Sequence, residues 1–232
     1  MKVQLTLFDR QVWEQFIKPG EVIEARFLKG KGRTESGYFD NHLDFCKCVK
    51  QVNTNVHGGG YFTLQVIDPR LLGRAFNRIR QSEITTSDGN VIAYRWLPID
   101  LDPVRPSEIS SSESELQEAL ALRDTVAEYV VQEMGFPKPI RAMSGNGGHL
   151  LFRLPDLPVT DQNKKMVKDI LVGLAARFDT PTVKIDTSVF NPCRIWKLYG
   201  TTARKGDPIP TGINREARPH RMSFIEDMGG NS

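Results

Sequence analysis

One stretch of the chain reads Leu97-Pro98-Ile99-Asp100-Leu101-Asp102-Pro103 and closes a longer apolar segment. Successive side chains of a β-strand point to opposite faces, so Asp100 and Asp102 share one face while Ile99 and Leu101 face a core. Two carboxylates this close repel each other, and a divalent cation is the usual compensation. Oxygen ligands favour Mg²⁺ or Mn²⁺, which predicts a metal site at the end of a buried strand. The plain alternative is a solvated strand end with two surface acids.

The segments that follow this stretch alternate between helix and strand patterns. Ser112 and Glu115 fit a capping box at the start of an amphipathic helix, which Gly135 and Pro137 end. A second amphipathic helix is predicted at about 161–178, and strands are predicted at 91–101, 139–143, 149–154, 183–185 and 195–198. Strand, helix, hairpin, helix and strand in this order predict an α+β (α/β mixed) fold, with helices packed on a sheet.

The segments that precede it have a weaker pattern. The predicted elements are a helix at 10–17, a strand at 21–28, a basic glycine loop at 29–33, a helix at 42–52, a strand at 61–66 and a helix from 68 to about 79. The last helix would align Arg70, Arg74 and Arg78 on one face. We therefore divide the chain into an N-terminal α/β module, residues 1–90, and a second module, residues 91–232, which together form one domain. Residues 227–232 are expected to be a frayed tail.

Composition is that of an ordinary globular protein, with 39% hydrophobic and 25% charged residues. The 31 basic and 28 acidic residues give a net charge of +3, so charge alone does not predict nucleic-acid binding. No apolar run approaches the roughly 20 residues of a membrane helix, and Asp9 comes too early for the apolar core of a signal peptide. Three cysteines favour a reducing, cytoplasmic location over a disulfide framework.

A third acid, Asp186, follows the short apolar segment Val183-Lys184-Ile185. By itself, an Asp in this place is usually a turn starter or a cap. With Asp100 and Asp102 it would complete three carboxylates from two strands, a set that can hold two divalent metals about 4 Å apart. In such a site one metal activates an attacking 3′-hydroxyl and the other binds a triphosphate.

A glycine-rich turn reads Ser144-Gly145-Asn146-Gly147-Gly148-His149. Glycines such as Gly145 and Gly147 let backbone N–H groups converge on an anion. Ser144 and His149 flank the turn, and both can donate hydrogen bonds to phosphate oxygens. A flexible hairpin with a surface histidine is the alternative. The turn lacks the Gly-Lys-Ser/Thr ending of a Walker loop.

Cations and hydroxyl groups follow Asp186 closely in the sequence: Arg194, Lys197, Thr201, Arg204 and Lys205. Cations beside a carboxylate–metal centre suit a triphosphate, whose charge the metals neutralise only in part. A solvated basic face is the alternative. On a regular strand Arg194 and Lys197 would point to opposite faces, so they converge only if the chain bends between them.

Four motifs therefore occur in a fixed order: Asp-x-Asp, Ser-Gly-x-Gly-x-His, an apolar residue followed by Asp, and Arg-x-x-Lys with Gly-Thr. In this order they resemble the archaeo-eukaryotic primase superfamily, and most of all the primase-polymerases of phages, plasmids and CRISPR-associated loci. The similarity covers about residues 58–206 and includes Tyr61-Phe62-Thr63-Leu64. The sequence has neither the P-loop of a helicase nor an obvious zinc-binding priming module.

The resemblance implies an RRM-like catalytic sheet with the N-terminal module packed against it. It implies Asp100, Asp102 and Asp186 as ligands of Mg²⁺ or Mn²⁺. It also implies a nucleotide site, which we expect to comprise Ser144, Gly145, Gly147, His149, Arg194, Lys197 and Lys205. The expected function is a template-dependent DNA primase-polymerase, a nucleotidyltransferase that joins dNTPs or NTPs on single-stranded DNA.

Template contacts are predicted at Lys31, Arg74 and Arg78. Tyr61, Trp196 and Tyr199 are candidates for stacking on a base or for sensing the sugar 2′ position. A helicase or CRISPR adaptation proteins are possible partners in trans, and no membrane is expected. Two other functions stay open: a non-catalytic replication-initiation or nucleic-acid-binding module of the same fold, and a metal-dependent nucleotide-sugar transferase, which also uses Asp-x-Asp.

Overall fold

The structure, a computed structural model, describes residues 4–29, 32–52 and 59–230. In these ranges it has the α-helices α1 (Arg10–Phe16), α2 (His42–Gln51), α3 (Glu113–Gln132) and α4 (Asp161–Phe178). The strands are β1 (Ile23–Leu28), β2 (Thr34–Phe39), β3 (Gly60–Thr63), β4 (Val66–Ile67), β5 (Arg80–Gln81), β6 (Val91–Pro103), β7 (Ile140–Met143), β8 (Gly148–Pro158), β9 (Val183–Ile185), β10 (Ile195–Lys197), β11 (Thr202–Ala203), β12 (Arg221–Met222) and β13 (Phe224–Asp227). Helices packed on antiparallel sheets confirm the α+β class.

The larger sheet, which we call the main sheet, is built on the long strand β6. Its strand order is β13-β7-β8-β6-β4, and β9 also pairs with β6. Along the chain its central elements follow one another as β6, α3, β7, β8, α4 and β9. Ile99 and Leu101 of β6 are fully buried, as their alternation with the two acids predicts.

The two long helices that cover this sheet begin at residues that satisfy their free amide groups. The Ser112 hydroxyl accepts a hydrogen bond from the Glu115 amide, and the Glu115 carboxylate accepts one from the Ser112 amide, which is the predicted capping box. Thr160 caps α4 through the amide of Asn163. Both helices therefore have defined first turns, and both bury an apolar stripe in the core.

The second sheet has the strand order β10-β3-β1-β2-β5. The division at residue 90 does not separate the two sheets completely, because β10 joins the second sheet and β4 joins the main sheet. Phe16 of α1 packs between them, with its ring centre 5.3 Å from that of Phe62 and 5.2 Å from that of Trp96. The sheets thus share one continuous apolar core.

The helices predicted at 10–17 and 42–52 and the strand predicted at 21–28 are present, but the helix predicted after Asp68 is wrong. The helix predicted at 68–79 is only a short 3₁₀ helix, Pro69–Arg74. Beyond it, the chain turns to bond with β2: the Tyr38 amide donates to the carbonyl of Ala75, and the Asn77 amide donates to that of Tyr38. Asn77 also has a positive φ of 46°, which no α-helix contains. The aligned face of Arg70, Arg74 and Arg78 therefore does not form.

Two further expectations differ from the structure. The strand predicted at 61–66 is interrupted, so that β3 and β4 belong to different sheets. The expected frayed tail is also wrong at its beginning, because β13 ends at Asp227 and pairs with β7. In addition, β2 was not predicted, since its pattern of Thr, Glu, Ser and Gly lacks a regular apolar alternation. Within the part of the chain that the structure describes, no helix is long and apolar enough to cross a membrane.

Candidate functional site

A pocket of about 290 Å³ opens where the C-terminal half of β6 faces β10 of the second sheet. This volume is near the lower end of the range for small-molecule sites. Most predicted site residues line it: Asp100, Asp102, Ser144, His149, Asp186, Arg194, Lys197 and Lys205. The structure therefore brings together residues that lie more than 100 positions apart in the chain.

Strand pairing explains why the acids meet. Asp100 of β6 lies directly opposite His149 of β8. On the other side of β6, Leu101 pairs with Ile185 of β9, and the Asp186 amide donates a 2.9 Å hydrogen bond to the carbonyl of Asp100. Asp100 is therefore flanked by His149 on one side and by Asp186 on the other.

The Asp186 side chain has a structural task as well. Its Oδ1 accepts a 2.8 Å hydrogen bond from the amide of Ser188, and so caps the 3₁₀ helix Thr187–Phe190. The cap expected from the sequence alone is thus present, and the same carboxylate lines the pocket. Its second oxygen, Oδ2, is not used by this cap.

The pKa values of the neighbouring carboxylates of Asp100 and Asp102 are shifted in opposite directions. Burial raises the pKa of Asp102, and the charge of Asp100 raises it further. Burial also acts to raise the pKa of Asp100, but His149, Lys205 and Arg105 outweigh it and leave that pKa below its usual value. The mutual repulsion of these two carboxylates therefore favours the binding of a cation beside them.

We tested whether these residues suit a divalent metal. Within the described ranges, no three His, Cys, Asp or Glu side chains already stand close enough together to form a metal site. However, Oδ1 of Asp100 is buried and lacks a hydrogen-bond partner among the described residues, although Nε2 of His149 lies 3.4 Å away. Oxygen donors, mutual repulsion and an unpaired buried oxygen are what Mg²⁺ or Mn²⁺ would stabilise. The donor set fits such an ion.

His149 is not the surface histidine of the plainer hypothesis. Its exposed fraction is 4%, and its ring lies against that of Trp196, with 4.2 Å between the centres. Nδ1 is 2.9 Å from the hydroxyl of Tyr199, while Nε2 is directed to Asp100. Packing and hydrogen bonding thus hold the imidazole ring in one orientation at the wall of the pocket.

The glycine-rich turn is more closed than the predicted anion nest. The Ser144 hydroxyl accepts hydrogen bonds from the amides of Asn146 and Gly147, at 3.3 and 2.9 Å. These amide groups therefore already have a partner. Gly145 has a φ of +105°, and a Cβ there would collide with Ala203. The glycines are needed because the turn lies closely against neighbouring strands, where a Cβ atom would collide.

Gly147 offers a direct test of this close approach. A Cβ at Gly147 would collide with the carbonyl oxygen of Leu101 and lie 2.7 Å from Oδ1 of Asp102. We expect Gly147→Ala to lower the free energy of unfolding by about 2 kcal/mol, measured by urea denaturation. Gly173→Ala in α4, where a Cβ meets no atom within 4 Å, should instead raise it by about 0.5–1 kcal/mol. Equal stability of the two variants would contradict the close packing of the turn.

Cations line the same pocket as the acids. Arg194 precedes β10, and its guanidinium donates to the carbonyl and hydroxyl oxygens of Ser188, at 2.8 and 2.7 Å. Lys197, at the end of β10, is only 6% exposed. Both line the pocket with Lys205, because the turn at Asn191–Arg194 lets Arg194 enter from outside the regular strand.

Lys197 is buried within range of the charge of another cation, Lys205. Its Nζ donates to the carbonyl of Thr202 at 3.3 Å and lies 5.4 Å from the centre of the Tyr61 ring. Burial and the charge of Lys205 lower the pKa of Lys197 to about 7. A buried lysine in this setting favours an anionic ligand, which would restore its charge. The burial of Lys197 excludes the alternative that this residue belongs to a solvated basic surface.

The predicted template and stacking residues are more dispersed. The Arg74 guanidinium turns inward and donates to the hydroxyl of Tyr38 and the carbonyl of Thr85, both at 3.2 Å. Arg78 is exposed, but it does not lie on a helix shared with Arg74. Lys31 falls outside the described residues.

The three aromatic candidates also differ. Tyr61 and Trp196 line the pocket. Tyr199 is fully buried behind His149, which excludes stacking of a base on its ring. The sequence offered no signal for its contact with His149, because 50 residues separate them.

No protein-family model matches the chain, and no curated protein is significantly similar to it.

Proposed function

We propose that this chain is the catalytic domain of a template-dependent primase-polymerase of the archaeo-eukaryotic primase superfamily. The observation that carries the proposal is the pocket in which Asp100, Asp102 and Asp186 face His149 and a buried lysine. The acids of the pocket suit divalent cations, and the cations that line it with them suit a polyphosphate. A nucleoside triphosphate with its metal ions has both kinds of charge.

The topology of the main sheet supports the RRM-like part of the proposal. Its central elements run strand, helix, strand, strand, helix, strand, and pairing places β6 in the middle, between β8 and β9. This order is that of the ferredoxin-like split βαβ arrangement, to which RRM-type sheets belong. In it, the first and third strands are central, which is where Asp100, Asp102 and His149 lie.

Each group has a role in this proposed site. Asp100 and Asp102, together with Asp186, would hold Mg²⁺ or Mn²⁺, which when bound supplies charge stabilisation for nucleotidyl transfer. His149 and Lys197 are placed to bind phosphate oxygens, and Arg194 and Lys205 add positive charge in the same pocket. Tyr61 gives the pocket an aromatic surface beside Lys197. The protein's contribution is therefore mainly positioning and electrostatics.

Ser144 lines the pocket, and its hydrogen bonds lie within the glycine turn. Its hydroxyl donates to the carbonyl of Gly147 at 3.2 Å and accepts from the amides of the turn. We assign to it the shaping of the glycine turn, which sets the depth of the pocket beside Asp102. Phosphate contacts then come from side chains rather than from an open amide nest.

The decisive assay uses the chain with single-stranded DNA, Mg²⁺ or Mn²⁺ and labelled nucleotides, first without a primer. We expect template-dependent products, with dNTPs and NTPs tested separately to establish the sugar preference. Products formed only when a primer is supplied would indicate an extending polymerase rather than a primase. Template binding without any product would favour the non-catalytic module, and label transferred to a short acceptor without a template would favour a nucleotide-sugar transferase.

A further inference from the structure

A line of buried hydrogen-bonding groups runs from Trp196 to the acids of the pocket. Nε1 of Trp196 donates to the hydroxyl of Tyr199 at 2.8 Å. The same hydroxyl lies 2.9 Å from Nδ1 of His149, and Nε2 of His149 lies 3.4 Å from Oδ1 of Asp100. All four side chains are at least largely buried, so water does not compete freely for these contacts.

The donors and acceptors in this line determine where the hydrogens lie. The indole N–H of Trp196 is only a donor, so the Tyr199 oxygen must accept there. The phenol then has one hydrogen to donate, and among the described residues its other partner is Nδ1 of His149. Burial raises the pKa of Tyr199, so the phenol keeps that hydrogen. Nδ1 is therefore the acceptor, and the imidazole hydrogen lies on Nε2, towards the pocket.

Ring packing holds the imidazole but does not choose between its tautomers. The Trp196 ring lies against His149 at 4.2 Å between centres, which restricts the plane of the imidazole. A neutral imidazole in that plane still has two tautomers, and the hydrogen bond at one nitrogen selects between them. The Tyr199 hydroxyl at Nδ1 favours the tautomer with its hydrogen on Nε2, and the Asp100 carboxylate 3.4 Å from Nε2 favours the same tautomer.

We propose that Tyr199 is a positioning residue that keeps His149 in the tautomer with its hydrogen on Nε2, so that an N–H group faces an anionic oxygen in the pocket. That this oxygen belongs to a triphosphate rests on the proposed function; the tautomer itself does not. Without the hydroxyl, Nδ1 would lose its hydrogen-bond donor and the preference for this tautomer would weaken, and the Trp196 N–H would lose its acceptor.

The tautomer is tested directly on the metal-free wild-type protein by long-range ¹H–¹⁵N correlation of the histidine side chains. We expect the His149 signals to show a pyridine-like Nδ1 and a pyrrole-like Nε2. The opposite pattern would overturn the inference, and this measurement does not depend on any variant folding correctly. His149→Gln assigns the signals, since it removes that ring only.

The second measurement compares Tyr199→Phe with Tyr38→Phe. Both changes remove a buried, hydrogen-bonded hydroxyl, but Tyr38 lies in the second sheet and bonds to Thr86 and Arg74. We expect Tyr199→Phe to shift the His149 nitrogen signals towards a mixture of tautomers. We also expect it to weaken dATP–Mg²⁺ binding about tenfold in calorimetry without a template. Tyr38→Phe should change neither.

The outcomes separate the inference from the proposed function. If wild-type protein has the expected tautomer but does not bind dATP–Mg²⁺, the proposed function fails and the positioning of His149 by Tyr199 stands. If wild-type protein binds dATP–Mg²⁺ and Tyr199→Phe leaves both the tautomer and the affinity unchanged, the inference is wrong while the function stands. If Tyr38→Phe weakens binding equally, the effect is one of general stability, and Tyr199 has no positioning role.

Discussion

We expect Asp102→Asn to reduce the proposed nucleotidyl transfer by a factor on the order of 10³ or more, without destabilising the protein. The activity is lost because an amide keeps the shape of the carboxylate but not the charge that would hold a divalent cation. The measurement is template-dependent incorporation of labelled nucleotides, together with thermal unfolding of the same samples. The double change of Asp100 and Asp102 to Ala should likewise abolish synthesis in a folded protein.

The stability part of this prediction follows from the raised pKa of Asp102. In the folded state, burial and the charge of Asp100 make the carboxylate of Asp102 hold its proton more tightly than in the unfolded chain. The unfolded state therefore binds fewer protons, and folding stability decreases as pH rises through the folded pKa. Asp102→Asn removes this penalty, so its gain in unfolding temperature should appear at neutral pH and shrink at acidic pH.

A matched control is Glu118→Gln, which makes the same change of charge and shape at an exposed position of α3. It should leave both activity and unfolding temperature near those of wild type. An Asp102→Asn protein that retains full activity would refute the metal-ligand role of this carboxylate. Lost activity together with a clearly lower unfolding temperature would instead show that Asp102 supports the fold.

The second large effect is expected at Lys197. Lys197→Met should weaken dATP–Mg²⁺ binding by about 10- to 100-fold at pH 6.5 and raise the free energy of unfolding by roughly 1–3 kcal/mol. Both changes come from removing one buried ammonium, whose contacts among the described residues are the carbonyl of Thr202 and the ring of Tyr61. Calorimetry and urea denaturation measure the two quantities.

The pH dependence of Lys197 has a definite sign. Its pKa is about 7 in the folded protein, below the ordinary value of 10.5. Between these two pKa values the unfolded chain binds more protons than the folded protein, so the free energy of unfolding of wild-type protein rises with pH. The difference in stability between Lys197→Met and wild type should therefore become smaller as pH rises. The affinity for an anion should change in the opposite direction. Wild-type affinity for dATP–Mg²⁺ should fall above pH 7, where Lys197 loses its proton. The affinity of Lys197→Met should not show this fall.

Lys165→Met serves as the control, because Lys165 is an exposed lysine of α4 that pairs with Asp169. Titration of the ligand's own phosphates affects all three proteins alike and so cancels in the comparison. A Lys197→Met protein that binds dATP–Mg²⁺ as tightly as wild type, with the same pH profile, would remove Lys197 from the proposed site.

Some features of this protein were predictable from local sequence because local physics decides them. The capping box at Ser112 and Glu115 needs only four consecutive residues, and the alternation around Asp100 and Asp102 needs only strand geometry. The length of α4 agrees with its predicted range of 161–178 because both helix ends are marked in the sequence. The short helix after Asp68 was overestimated, since bonds from Ala75 and Asn77 to a distant strand overrode the local pattern.

By itself, then, the sequence determined the α+β class, the shared face of the two acids and the set of polar residues that line the pocket. Only the tertiary structure decided how they meet. Pairing of β6 with β8 and β9 places Asp100 between His149 and Asp186. Pairing of β10 with β3 in the second sheet places Lys197 in a buried position. It also placed Tyr199 behind His149. These contacts depend on strand register and burial across the whole chain, and no local spacing of residues encodes either.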